Sequence, residues 1–78
     1  MGSVPDMITP QQIKDLIEAG LPGAQARVSG DGHHFEAIVV SQAFQGKSRI
    51  QQHQLVYGTL GDRMREQIHA LSIKTELP

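Results

Sequence analysis

A chain of 78 residues has room for one domain, and a domain this small buries only about 60% of the surface its unfolded chain exposes, so its core must be one thin layer of helices on a sheet, without a deep enclosed cleft. The chain has no cysteine, so no disulfide can staple it, which suits a reducing cytosol. Seven basic residues against eight acidic ones, for a formal charge of −1, lack the basic balance of a dedicated nucleic-acid binder, and the longest apolar run, Ala37 to Val40, is far too short to span a membrane.

Residues 1–7 are too short and too polar for a signal peptide and contain no arginine. They read as a flexible N-terminus ahead of a single domain over residues 8–78. Thr9 is placed to N-cap a first helix, with Pro10 at the first helical position and Gln12 completing a capping box. Ile8 and Ile13 occupy staple positions, and Ile13, Leu16 and Ile17 form the apolar stripe. Gly20 suits a left-handed residue closing the helix, Leu21 can pack back on Leu16, and Pro22 blocks continuation.

Ala24 to Ser29 alternates small or apolar residues with polar ones, as a half-buried strand does. Gly30-Asp31-Gly32 is a turn signal, and His34 to Ser41 follows as an apolar, centrally placed strand, so the two form an antiparallel hairpin. After a connection through Phe44 and Gly46, Ser48 and Gln51 make a second capping box. At about 100° per residue, Ile50, His53, Val56, Tyr57 and Leu60 share the inner face of the second helix, with Leu55 outside it. Asp62 to Ile68 reads as a further short helical turn, and Ala70 to Thr75 as the last strand.

The order α-β-β-α-(α)-β predicts an α+β fold: a three-stranded mixed sheet with helices on one face. The long helical connection favours parallel pairing of the second and third strands. The starts of those strands then lie at the same end of the sheet, about 4.8 Å apart if adjacent. His33 and His34 stand at one start and His69 at the other, so topology alone brings distant histidines together.

Four blocks carry a family resemblance: Phe35 to Ser41, Phe44 to Ser48, Gln52 to Tyr57 and Ile68 to Thr75. The pattern "VVS, two residues, F, one residue, GK", followed by "QHQLVY" and "IHALSIKT", resembles BolA-like proteins from about Thr9 to Pro78. The Gly-Asp-Gly-His-His loop and the Gln-His-Gln segment resemble the acid-stress branch of that family. The resemblance implies a fold like a type II K-homology domain and pairing with a monothiol glutaredoxin. It also implies a two-iron, two-sulfur cluster shared with the glutaredoxin and glutathione, serving iron–sulfur trafficking or iron- and acid-stress regulation in the cytoplasm. His69 matches the family's histidine ahead of the last strand, and the second ligand falls to His33 or His34. Such a cluster can take two imidazoles on one iron in place of thiolates. A chain without cysteine cannot assemble it alone, so no cofactor is expected in the isolated protein.

A second reading is a DNA-binding transcriptional regulator on the K-homology-like scaffold. Lys47 and Arg49, with Arg63 and Arg65, would then contact phosphates. Gly58-Thr59-Leu60-Gly61 has the G-x-x-G spacing of a nucleic-acid clamp, though Leu60 belongs to the apolar stripe and a helix end is the favoured role. His53, among apolar neighbours, is expected to be a structural histidine hydrogen-bonded across the helix–sheet interface. Ser41, Ser48 and Ser72 lack a nucleophile-elbow context. No catalytic site, small-molecule substrate or membrane partner is expected.

Overall fold

A computed structural model describes residues 8–68 and 70–78, apart from the side chains of Arg65 and Glu66. The expected N-terminal segment 1–7 and His69 lie outside the described residues. Helix α1 spans Pro10–Gly20 and starts on the anticipated capping box. The Thr9 hydroxyl accepts from the Gln12 N–H at 3.1 Å, and the Thr9 N–H donates to Gln12 Oε1 at 2.9 Å. Ile8 and Ile13 are both buried.

The end of α1 differs from the sequence expectation. Gly20 is the last helical residue; Leu21 is the C-cap and donates its N–H to the Ile17 carbonyl at 3.0 Å. Left-handed backbone first occurs at Gly23. Gly20 instead permits close helix packing: a Cβ there would lie 2.6 Å from Thr59 Cγ2 and 2.8 Å from Thr59 Cβ.

Strand β1 covers Gln25–Gly30, β2 His34–Val40 and β3 Ala70–Glu76. The sheet order is β1-β2-β3. β1 pairs antiparallel with β2, from Gln25 opposite Val40 to Gly30 opposite Phe35. β3 pairs parallel with β2, from His34 opposite Ala70 to Val40 opposite Glu76. The mixed sheet and the central apolar strand follow the sequence reading. Alternation along the strands turns Ala26, Phe35, Ala37 and Val39 inward, where they join Ile13 and Ile17 of α1.

The crossover from β2 to β3 begins at Ser41, whose buried hydroxyl accepts from the Ala43 N–H at 3.0 Å and starts a 3₁₀ turn over Gln42–Phe44. That turn drives Phe44 into the core. Helix α2, Arg49–Leu60, opens on the Ser48–Gln51 capping box, and α3, Arg63–Glu66, is a single turn.

The inner face of α2 is rotated from the arc expected from the apolar residues. Ile50 is 71% exposed and Tyr57 38% exposed, whereas Leu55 packs against the core beside buried Val56 and Leu60. The true arc is centred on Val56 and includes two polar residues whose hydrogen bonds are met inside. Thr59 donates its hydroxyl to the Val56 carbonyl at 2.6 Å. Gln52 donates to the carbonyls of Phe44 at 3.1 Å and Lys47 at 3.0 Å, and accepts from the Thr75 hydroxyl.

Gln52 therefore makes the polar tie between helix, crossover and sheet that the sequence reading assigned to His53. The His53 side chain is half-buried and hydrogen-bonds to no described residue. At about 1 kcal/mol per hydrogen bond, Gln52→Ala is expected to cost about 2–4 kcal/mol, and His53→Ala markedly less. Urea unfolding of both variants checks the order; equal losses would restore His53 to the structural role.

Candidate functional site

The loop between β1 and β2 is organised by one carboxylate. Asp31 Oδ1 accepts from the backbone N–H groups of His33 and His34, both at 2.9 Å, and the Asp31 N–H donates to the His34 carbonyl at 3.2 Å. Gly32, at φ +98°, makes the reversal. The two N–H donors, that of His34 foremost, hold the Asp31 carboxyl below its ordinary range, so it is ionised at neutral pH and acts as a fixed acceptor. A single side chain thus sets the backbone at both histidines. The Asp-Gly pair signals a turn; the further cue is that aspartate can bond backbone N–H groups two and three residues on.

The side chains of His33 and His34 are exposed. His34 begins β2 and stands opposite Ala70 at the beginning of β3, and Ala70 is the residue that follows His69 in the chain. The starts of the two parallel strands are therefore adjacent, as the topology argument requires. Among the described residues, no group of three or more His, Cys, Asp or Glu side chains could hold a metal ion. Imidazole at this end of the sheet is a suitable donor for iron or zinc, but a complete coordination shell needs further donors.

The basic residues lie elsewhere. Lys47 and Arg49 are exposed at the start of α2, and Arg63 is exposed on α3; the Arg65 side chain lies outside the described residues. The G-x-x-G segment is the closed end of α2, not an open loop. Thr59 lies against Gly20, Leu60 is buried, and Gly61, at φ +56°, caps the helix through its N–H to the Tyr57 carbonyl at 3.1 Å. Among the described residues, no helix is long and apolar enough to cross a membrane.

Fold and site define a small α+β domain with helices on one sheet face and with His33 and His34 at the start of β2, beside the start of the parallel strand β3. The family model for BolA-like protein matches residues 17–78. The acid stress protein IbaG of Escherichia coli K12 is 40% identical over 68 residues, which cover 86% of this chain and 81% of that protein. A solved bolA protein homologue from Coxiella burnetii superposes with a TM-score of 0.84 at 46% identity, covering 92% of this chain and 94% of the other. The BolA domain of SufE1 from Arabidopsis thaliana gives 0.77 at 32% identity, covering 88% and 91%. The chain belongs to the BolA-like family.

Proposed function

We propose that this protein is a non-catalytic adaptor that docks on a monothiol glutaredoxin and supplies His69, with His33 or His34, to a two-iron, two-sulfur cluster held between the two proteins. The glutaredoxin and glutathione would supply the thiolates, and the pair would serve iron–sulfur trafficking or iron- and acid-stress regulation. The observation that carries this reading is the parallel register that sets His34 opposite Ala70, with His33 and His69 the residues preceding these two in the chain. The donor chemistry fits. This chain has imidazoles but no thiol, so the sulfur donors must come from outside, and histidine can replace cysteine on one iron of such a cluster. The exposure of His33 and His34, on a loop held by Asp31, leaves both within reach of a docked partner.

Each imidazole must be neutral to bind, so the shared cluster is expected to loosen in acid. Anaerobic reconstitution with the same organism's monothiol glutaredoxin tests the reading. His69→Ala is expected to alter the visible absorption and circular dichroism of the cluster and speed its loss. One of His33→Ala and His34→Ala should do the same, while the other matches the parent. Thermal unfolding of each free variant separates a ligand from a structural residue. An unchanged spectrum and an unchanged rate of cluster loss in His69→Ala would remove His69 from the ligand set and overturn the mechanism.

A further inference from the structure

The sheet has two outer edges, on β1 and on β3. The Ser41 N–H bonds to the Glu76 carbonyl at 3.1 Å across the β2–β3 boundary, so Ala70, Ser72, Lys74 and Glu76 direct their main-chain groups toward β2. Along a strand the hydrogen-bonding direction alternates residue by residue. Leu71, Ile73 and Thr75 therefore aim their N–H and C=O groups away from the sheet. By the same alternation Ala26, Val28 and Gly30 face outward on β1. There Glu18 takes one outward group: its Oε2 accepts the Ala26 N–H at 3.0 Å, and its Oε1 pairs with Lys14 at 2.8 Å. Both donors hold the Glu18 carboxyl below its ordinary range, that of Lys14 foremost. Among the described residues, nothing bonds to the outward main-chain groups of Leu71, Ile73 and Thr75. Beside them Leu71 and Ile73 are only half-buried, and Leu77 is 55% exposed. An unpaired strand edge flanked by uncovered apolar side chains is a template for another strand.

We infer that β3 pairs with β3 of a second copy of this chain, antiparallel about a two-fold axis at Thr75. The sequence is self-complementary in that register. Thr75 meets its own counterpart, Ile73 meets Leu77 twice, and Lys74 meets Glu76 twice. The Thr75 pair and both Ile73–Leu77 pairs are the hydrogen-bonded ones, giving about six new main-chain bonds. Leu77 is covered by Ile73 on the helix side of the sheet. On the open side each Lys74 gains the partner's carboxylate. Within one chain Lys74 and Glu76 make only a loose ion pair at 3.6 Å, with side chains 71% and 46% exposed, so both are available. Pro78, which has no N–H, ends the pairing. An isologous contact of this kind closes on itself and leaves the β1 edges outermost in a six-stranded sheet.

The interface is small, at the weak end of protein association, so the pair should be seen at high concentration, on the order of 1 mM, and exchange quickly. Sedimentation equilibrium over a concentration series, with amide hydrogen exchange at each concentration, tests it. Concentration-dependent dimers with added protection at Ile73, Thr75 and Leu77, and none at Val28 or Gly30, are expected. Lys74→Glu and Glu76→Lys should each weaken association by about tenfold, since two attractive cross-strand pairs become repulsive. The double variant Lys74→Glu/Glu76→Lys should restore it. Both sites are exposed, so unchanged thermal unfolding of the single variants serves as the folding control. Three outcomes overturn the proposal: a monomer at every concentration, protection on the β1 edge instead, or single charge reversals without effect. Protection of the β3 amides only when a foreign protein is added would assign the edge to another occupant and overturn the second copy.

Discussion

Phe44→Ala is expected to be among the most damaging single changes in this protein. Phe44 is 1% exposed, yet it is delivered by a three-residue 3₁₀ turn in the crossover, not by a regular helix or strand. Removing a fully buried phenylalanine ring costs about 3–5 kcal/mol through lost transfer energy and the remaining cavity. Domains hold about 0.05–0.15 kcal/mol per residue of net stability, so for this chain the loss is a large part of the total. At about 4–8 °C per kcal/mol for a domain of this size, the melting temperature should fall by about 12–40 °C. Thermal unfolding followed by far-ultraviolet circular dichroism measures this. A fall below about 5 °C would mean that the core closes over the site and that Phe44 is not its anchor. Because Gln52 takes the Phe44 carbonyl, the same variant should loosen the seating of α2.

Gly30→Ala is expected to be the most damaging change near the site. A Cβ at Gly30 would stand 2.5 Å from both the His34 carbonyl oxygen and Phe35 Cδ1, and 3.0 Å from Phe35 Cα. These neighbours are the backbone of the paired strand and the ring of a fully buried side chain, so neither can yield without moving β2. Overpacking of this kind costs about 1–3 kcal/mol. The shift would fall on the loop that carries His33 and His34, so under the proposed function the reconstituted cluster is expected to be more labile as well. Gly58→Ala supplies the contrast. A Cβ there meets nothing within 4 Å, and Gly58 sits inside α2 without a positive φ. It should stabilise the protein by about 0.5–1 kcal/mol, the helix-propensity difference between glycine and alanine. Paired melting curves moving in opposite directions support both arguments; a neutral Gly30→Ala refutes the first.

Interactions of short range are legible in the sequence because their partners sit three or four residues apart. Both capping boxes, Thr9 with Gln12 and Ser48 with Gln51, form as the local pattern predicts. Period-two alternation and the Gly-Asp-Gly turn define the hairpin, and the length of the helical connection selects parallel pairing of β2 and β3. That pairing supplies the argument for placing histidines from both strand starts at one end of the sheet, so much of the candidate site follows from topology. Which loop histidine would serve in the proposed ligand set does not, because His33 and His34 are alike in type and exposure.

Other features were decided by tertiary neighbours. A rule that counts apolar residues placed Ile50 on the inner face of α2 and Leu55 outside it, because it treats glutamine and threonine as outward. Gln52 faces inward where the Phe44 and Lys47 carbonyls and the Thr75 hydroxyl meet its amide, and Thr59 packs against Gly20 with its hydroxyl met by the Val56 carbonyl of its own helix. Gly20 looks like a helix terminator in one dimension, but in three it is the gap that admits Thr59. Glu18 looks like a surface charge, yet it takes the outward N–H of Ala26 eight residues away. Thr75 lies 23 residues from Gln52, and Thr59 is likewise far along the chain from Gly20, so the energy of these contacts exists only once the fold has brought the partners near. Local pattern and connection length suffice for the elements, their order and the strand pairing. Burial of each helix face and satisfaction of the inner polar groups depend on neighbours that only the folded chain supplies.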